Sequence, residues 1–361
     1  MFLQHLSILN YKNLAEVDTD FSPRVNCFLG DNGAGKTNLL DAVYYLAFCK
    51  SRTAGPDGTV IRHNEGFMSM KALFDREGVQ EEISVGMKAG QRKVFSRGGK
   101  AYTRMADHIG FLPLVFVSPD DTVMLYGGNP ERRKFVDGII SQYDRSYLEA
   151  LLRYNKLLQQ RNQLLDGERQ EEMLYEVCEE QMDRHAAQIY TARRRFMERF
   201  VPIFHKYYAA VSEGSEEVGL LYQSHLDDGA LLPQLQYNRR RDLAAGTTTK
   251  GIHKDKLELQ LDGYPLQQTG SQGQTKSYLT ALKLAQFELL RSASGVTPLL
   301  LLDDVFDKLD SRRVDRILQL VSGNDFGQIF LTDTNREHLD DLVSRLGGDY
   351  RIFNVAGGRI G

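Results

Sequence analysis

No stretch of this 361-residue sequence is apolar for long enough to cross a bilayer. The opening residues, MFLQHLSILNYKN, lack the basic segment and apolar core of a secretory signal. Cysteine is scarce: Cys27, Cys49 and Cys178 stand too far apart for a zinc or disulfide pattern. Cys27 falls in a predicted strand and Cys49 at a predicted helix end, which reads as buried thiols in a reducing compartment. Basic excess is also missing. Forty-five Lys and Arg face 48 Asp and Glu, a net charge of −3, so any nucleic-acid surface has to be a local patch. Internal repeats and low-complexity tracts are absent, which excludes solenoids and arrays. These absences set aside membrane-spanning and secreted classes and predict a cytoplasmic protein. What remains is ordinary globular composition, 42% hydrophobic and 26% charged, in a chain long enough for two domains or one with an insertion.

The chain is organised around Gly30-Asp31-Asn32-Gly33-Ala34-Gly35-Lys36-Thr37, which fits the Walker A pattern G-x-x-x-x-G-K-[ST]. A glycine-rich turn can match this pattern by chance, but the context here is the required one. Residues 25–29 are a short apolar run that reads as a buried strand. Residues 37–48 carry Leu39, Leu40, Val43 and Leu46 at helical spacing. Strand, glycine loop and helix N-terminus together make an anion site of inward backbone N–H groups. Lys36 would reach the β- and γ-phosphates, and the Thr37 hydroxyl would ligate Mg²⁺. Asn38 continues the nucleotide-binding stretch. The sequence therefore predicts binding of a nucleoside triphosphate with Mg²⁺.

Strands are predicted around Leu6 and Ile8, over 68–74, 82–87 and 92–95, and strongly over 112–117. From about Pro130 the pattern turns helical. Tyr147, Leu151, Tyr154 and Leu158, then Tyr175, Cys178, Met182, His185, Ile189, Ala192 and Phe196, step by three and four, the seam of paired antiparallel helices. Breaks are expected at Asp166-Gly167 and over 212–217. After Gly246 α/β patterning returns: a strand over 256–261, a helix over 274–290, an apolar strand over 297–302, a helix over 312–321 and a strand over 328–332.

Leu299-Leu300-Leu301-Leu302-Asp303-Asp304 reads as Walker B: an apolar strand that pushes two carboxylates out at its C-terminal end. Asp303 would hold Mg²⁺, and Asp304 would orient or deprotonate the attacking water. Ser271-Gln272-Gly273 opens a helix shortly before and resembles the ABC signature; Ser271 with Gln274 is equally a capping box, and both readings can hold together. Lys308-Leu309-Asp310 resembles a D-loop. The order of these motifs is that of ABC heads. The expected fold is therefore α/β, an ABC-type ATPase head split in sequence: 1–125, then an inserted α-helical domain over 126–245, then 246–361.

Over nearly its whole length the chain resembles the RecF family, within the SMC/Rad50-like ABC ATPases. The resemblance rests on residues 33–42 (GAGKTNLLDA), on Ser118-Pro119-Asp120-Asp121, on residues 129–137 (NPERRKFVD) and on residues 248–257 (TTKGIHKDKL). Departures are Ile252, Lys254 and Lys256, where the family tends to Pro, Arg and Asp, and Lys12, where it tends to Arg; Ser51-Arg52-Thr53 approximates its S-F-R. No glutamine near 118–121 supplies a Q-loop, and Thr332-Asp333-Thr334 stands where a switch histidine is usual, which implies slow hydrolysis. The resemblance implies an ATP-dependent homodimer that binds DNA at single-strand gaps and works with RecR, with Ser271, Gln272 and Gly273 reaching the nucleotide of the opposite subunit. Basic groups available to phosphates are Arg132, Arg133 and Lys134, the run Arg193, Arg194 and Arg195, then Arg239, Arg240 and Arg241, and Lys250 with Lys254. Any one such run reads first as a solvated face, and residues 193–195 as an exposed one. Two other functions stay open: the ATPase subunit of a transporter, and a nucleotide-gated scaffold that does not hydrolyse.

Overall fold

The computed structural model describes residues 1–53, 55–166, 172–212, 216–305, 311–323, 326–346 and 349–361. The expected D-loop, Lys308-Leu309-Asp310, lies outside the described residues, as do Gly167 and part of 212–217. The chain divides into two compact units, Met1–Asp121 with Leu282–Gly361, and Thr122–Ala281. No helix among the described residues is long and apolar enough to cross a membrane.

The described strands of the first unit form two sheets. One is antiparallel, in the order Leu14–Asp20, Phe2–Tyr11, Phe67–Arg76, Val79–Lys88, Val94–Arg97, Lys100–Ala101. Its strands alternate, so one face is apolar: Met68, Met70, Ala72 and Phe74 are buried, and Ile83, Val85 and Met87 beside them. The other sheet has the order Arg359–Ile360, Tyr350–Ala356, Val25–Leu29, Ile329–Asp333, Leu299–Leu302, Leu114–Val117. All its pairings are parallel except the last hairpin. Parallel strands covered on both faces are apolar throughout, which is why residues 299–302 read LLLL and 114–117 read LVFV. The helix Lys36–Phe48 touches strands of both sheets, and Leu39, Leu40, Val43 and Leu46 join one core with Phe28, Leu301 and Phe330. This is the α/β head expected from the motif order, its two halves brought together across the helical segment. The helix Arg336–Leu346 and the strands after it carried no sequence signal that we read.

In the second unit, Arg145–Asp166 pairs with the 41-residue helix Glu172–Ser212. The pair is antiparallel: Cys178 Sγ lies 3.4 Å from Leu157 O, and Gln188 Nε2 donates to Ser146 O at 3.2 Å. Tyr147, Tyr154, Tyr175, Met182, Ile189 and Phe196 fill the seam, while Leu151, Leu158 and His185 are half-buried at its edge. The helices Asn129–Tyr143 and Leu231–Ala245 and a small sheet of Tyr264–Pro265, Lys256–Leu261 and Val218–Gln223 also belong to the unit. Residues 246–281, which the sequence pattern assigns to the head, pack here. Arg132 Nη1 donates to Leu257 O at 2.9 Å, and the Tyr278 hydroxyl donates to Gly219 O at 2.7 Å.

Not every arginine run lies on the surface. Arg193 is 2% exposed, against the exposed side expected for it. Its guanidinium bonds Asp137 Oδ1 at 2.8 Å, Asp255 Oδ2 at 2.6 Å and Ile252 O at 2.9 Å. A lone apolar face read from one helix could not show that two aspartates on other elements draw this side chain inward. Arg161 is fully buried and bonds Glu179 Oε1 at 2.9 Å, Asp242 Oδ2 at 2.7 Å and Thr248 Oγ1 at 2.9 Å. Gly251, at φ 131, passes so close to Tyr154 that a Cβ would lie 2.3 Å from its hydroxyl.

In the first unit His108 is buried. Its Nε2 donates to Leu46 O at 2.7 Å, which leaves Nδ1 to accept from the Tyr102 hydroxyl at 3.1 Å. Burial pulls its pKa from the ordinary 6.5 down to about 4, against the smaller upward pull of the Leu46 carbonyl. The unfolded chain therefore takes up the proton first as pH falls. Stability from the neutral ring is full above about 6.5 and is lost progressively as pH falls from there to about 4. At pH ~5 the loss should be about 2 kcal/mol. Urea unfolding at two pH values should show it in the parent, and His108→Gln should flatten the pH dependence while lowering stability at neutral pH. An unchanged dependence in the variant would assign the acid lability elsewhere.

Candidate nucleotide-binding site

The loop between Val25–Leu29 and Lys36–Phe48 is held open by two positive-φ glycines, Gly33 at 81° and Gly35 at 121°. At such angles an L side chain is strained. Asp31, Asn32 and Gly33 form the exposed tip. Gly35 is the N-cap residue of the helix, so the orphan N–H groups of the first helical turn face the loop. Lys36 is buried, and its Nζ donates to Gly30 O at 2.7 Å and Asp31 O at 3.2 Å. The ammonium therefore sits inside the loop and not out in solvent.

Three neighbours brace the loop. Asn13 Nδ2 donates to Gly33 O at 3.2 Å, and Asn13 Oδ1 accepts from Asn38 Nδ2 at 2.8 Å. Gly358 N donates to Ala34 O at 3.0 Å. Gly30 lies against the strand Tyr350–Ala356 so tightly that a Cβ would come within 2.2 Å of Val355 O.

Walker B arrives at the same place. Thr37 Oγ1 donates to Asp303 Oδ1 at 3.1 Å, across 266 residues of sequence. The Thr332 hydroxyl lies 3.0 Å from Asp303 Oδ1 and 3.1 Å from Asp304 Oδ1, and it accepts from Asp304 N at 2.9 Å. Asp304 adopts φ 47°, a left-handed conformation that aspartate tolerates better than most residues. Burial raises the Asp303 pKa to about 6, opposed by the hydroxyls of Thr332 and Thr37, while the Asp304 charge adds to the rise. A cation beside it would reverse that cost.

A second layer orders the flank. Asp41 is buried and accepts from the Tyr11 hydroxyl at 2.5 Å, the Ser51 hydroxyl at 2.7 Å and Arg52 N at 2.7 Å, with Lys12 Nζ at 2.5 Å. Arg52 also meets Asp121 at 2.8 Å, which in turn takes Lys283 Nζ at 2.8 Å. Beside the loop opens a cavity of about 1190 Å³, lined by Lys12, Asn13, Thr59, Arg62, His63 and Glu65 with Gly357. Asn13, which braces the loop through Gly33, also lines this cavity.

All the predicted loop and Walker B residues, Gly30 to Asn38 with Asp303 and Asp304, therefore converge in the first unit. Ser271, Gln272 and Gly273 belong to the second unit, at the start of the helix Gln272–Ser294. Ser271 is exposed there and caps the helix: its Oγ accepts from Gln274 N at 3.2 Å, while Gln274 Oε1 accepts from Ser271 N at 2.7 Å. Of the basic groups, Arg132 is buried on backbone carbonyls and Arg239 is committed to Glu172 and Glu179. Arg240, Arg241 and Lys254 are exposed, and Lys250 is half-buried.

Residues 2–351 match the model of the RecF/RecN/SMC N-terminal domain. The chain is 52% identical to the DNA replication and repair protein RecF of Bacteroides thetaiotaomicron, covering 100% of this chain and 98% of that protein. It is 46% identical to RecF of Porphyromonas gingivalis, over 100% of both. The chain belongs to the RecF family. A solved structure of the recombination mediator RecF with ATP, from the RecFOR pathway, superposes with a TM-score of 0.90 at 28% identity, covering 100% of this chain and 97% of that one. An Smc head superposes at 0.61 with 16% identity, a likeness of fold.

Sequence reasoning missed Thr332 as a participant. Its place was marked for what it lacks, a histidine, although a hydroxyl at the end of a strand next to Walker B can bind both carboxylates. The cavity flank over 59–65 was missed because its residues follow no periodicity. Thr332→Val keeps the shape of this buried side chain and removes the shared hydroxyl, leaving Asp304 N–H unpaired and Asp303 one donor short. Denaturant unfolding should report a loss of about 1–3 kcal/mol, largely recovered in Thr332→Ser. A loss equal in both variants would mean that packing, and not the hydroxyl, matters at this position.

Proposed function

We propose that the protein is an ATP-dependent DNA-binding ATPase of recombinational repair and replication restart. In this reading ATP drives it to dimerise and clamp DNA at single-strand gaps or junctions, where it helps a recombinase load. The observation that carries the proposal is the Thr37–Asp303 contact at 3.1 Å, which joins the phosphate loop to a buried carboxylate from the far side of the sequence. The ATP-bound relative supports ATP as the nucleotide.

The phosphates would lie along the loop, held by its N–H groups and by Lys36, a compact point charge already seated there. Base and ribose would extend into the cavity beside Lys12 and Asn13. Thr37 and Asp303 offer adjacent oxygen donors, the hard set that suits Mg²⁺, and these residues would hold it. A bound Mg²⁺ supplies charge neutralisation at the β- and γ-phosphates. Asp304, held by Thr332, orients or deprotonates the attacking water. With a threonine and not a histidine beside the carboxylates, turnover is slow, and DNA speeds it. A second copy of the chain supplies Ser271, Gln272 and Gly273 to the γ-phosphate, so each nucleotide joins two chains. ATP favours the dimer because it binds the dimer better than the monomer. DNA phosphates are met by Arg240, Arg241, Lys250 and Lys254, and by Arg239 only as a brace for its neighbours. By family resemblance RecR is the partner at the gap, and the cytoplasm is the place of action. The transporter reading finds no support among the relatives.

Lys36→Arg should abolish ATP-driven dimerisation in analytical ultracentrifugation, because a planar guanidinium cannot take the place of a point charge within the loop. Asp304→Asn should still bind ATP and dimerise, but hydrolyse poorly, so that its complex with gapped duplex lasts longer. Faster decay would remove Asp304 from the hydrolytic role. Ser271→Arg should also block the dimer. Mixing it with Lys36→Arg should restore one sound site per heterodimer and part of the ATPase activity. No recovery at any mixing ratio, with both proteins folded, would rule out a site shared between chains.

A further inference from the structure

The helix Leu231–Ala245 has two different faces. Leu231, Leu235 and Asp242 point inward and are buried. Its first turn is pinned by Asp183, whose Oδ1 accepts from Leu231 N at 2.8 Å and Leu232 N at 3.0 Å. Asp242 ties its last turn to buried Arg161. The helix is thus a fixed platform, and its outer face carries Tyr237, Arg240 and Arg241 at i, i+3 and i+4, neighbours on one side of the cylinder.

Tyr237 is 89% exposed, the most exposed of the large apolar side chains among the described residues. No side-chain hydrogen bond or ion pair from the described residues engages it, Arg240 or Arg241. The carboxylates that Arg161 and Arg239 engage, on this helix and beside it, are spent on those two arginines. Glu179 and Asp242 serve Arg161, and Glu172 serves Arg239, whose guanidinium lies over the Tyr175 ring at 5.1 Å. The arginine run therefore divides by role: Arg239 braces the helix, and its two successors stand free with an open aromatic ring one turn away.

We propose that Tyr237, Arg240 and Arg241 form a binding face for unpaired nucleotides. A base stacks on the tyrosine ring, and the flanking phosphates meet the two guanidinium groups. Charge complementarity fixes the occupant as a polyanion, and the bare ring narrows it further. An aromatic face can accept only a base freed from its own stack, so the face selects single strand over duplex. This rests on the DNA-binding reading above and adds to it a way to sense the unpaired stretch of a gap.

The test uses the full-length protein with a fluorescent oligo-dT strand, a duplex of equal length, and a strand carrying 2-aminopurine, whose emission is quenched by aromatic stacking. Tyr237→Ala should weaken single-strand binding roughly tenfold to a hundredfold relative to duplex and abolish the quench. Tyr237→Phe, which keeps the ring, should retain both. Arg240→Ala with Arg241→Ala should lower the salt dependence of single-strand binding. If the parent and Tyr237→Ala bind the strand equally with equal quench, or if Tyr237→Phe falls as far as Tyr237→Ala, the proposal is overturned and the face belongs to a protein partner. Duplex binding by the parent that is equally tight without ATP, with the Tyr237 effects intact, would overturn the ATP-driven clamp above and leave DNA binding and this face standing.

Discussion

A buried carboxylate, Asp303, and a half-buried one, Asp304, have to share one small space with a lysine and two hydroxyl groups, and the first unit is built to meet that constraint. Asp303 and Asp304 follow the strand Leu299–Leu302, whose parallel neighbour Ile329–Asp333 delivers Thr332. The next strand out, Val25–Leu29, leads into the loop that delivers Lys36 and Thr37. Strand order, and not nearness in sequence, thus decides which donors reach Asp303. A hydrogen bond to a charged acceptor is worth roughly twice a neutral one, and an unpaired buried carboxylate costs still more. The sheet register and the site chemistry therefore enforce each other: a slip of one residue would bring the wrong side chain to Asp303.

What the sequence shows clearly is what local chemistry writes down. The phosphate loop is legible because its conformation needs glycines at fixed positions. Walker B is legible because a covered parallel strand has to be apolar throughout before its carboxylates emerge. The ends of Val25–Leu29 and Lys256–Leu261 could be read to the residue for the same reason: turns and charges bound them sharply. The helix Arg336–Leu346 and the strand Tyr350–Ala356 are harder, because their apolar residues are few and their burial comes from partners far away in sequence. The cavity flank is harder still, since its lining comes from turns, where no period exists to be read.

Charge was the least legible property. Runs of arginine look alike in sequence whether they face solvent or fill a core. In the second unit Arg161 and Arg193 each collect carboxylates from separate elements, and those carboxylates are what pull them inside. Buried pairs of this kind add little net stability over apolar packing, but breaking one partner leaves an uncompensated charge. The arrangement therefore acts as a lock on geometry. Asp255 and Thr248, from the stretch 248–257 that resembles the family pattern but departs from it at three positions, are part of these locks, so that stretch holds the helices in register while Lys254 stays exposed. The Lys256 departure falls on an exposed strand position outside both networks, where a change of sign disturbs no pairing.

The brace that Gly358 and Val355 give the phosphate loop has a consequence for synthesis. Residues 30–37 are made about 300 residues before the strand that closes against them. Leu3 likewise waits for Gln328, which accepts its N–H at 2.7 Å across 325 residues. The nascent chain can complete the compact Thr122–Ala281 unit from consecutive residues while the first unit still lacks four of the six described strands of its mainly parallel sheet. Pairings so distant make for slow folding, with the open edge of Val25–Leu29 exposed in the interval.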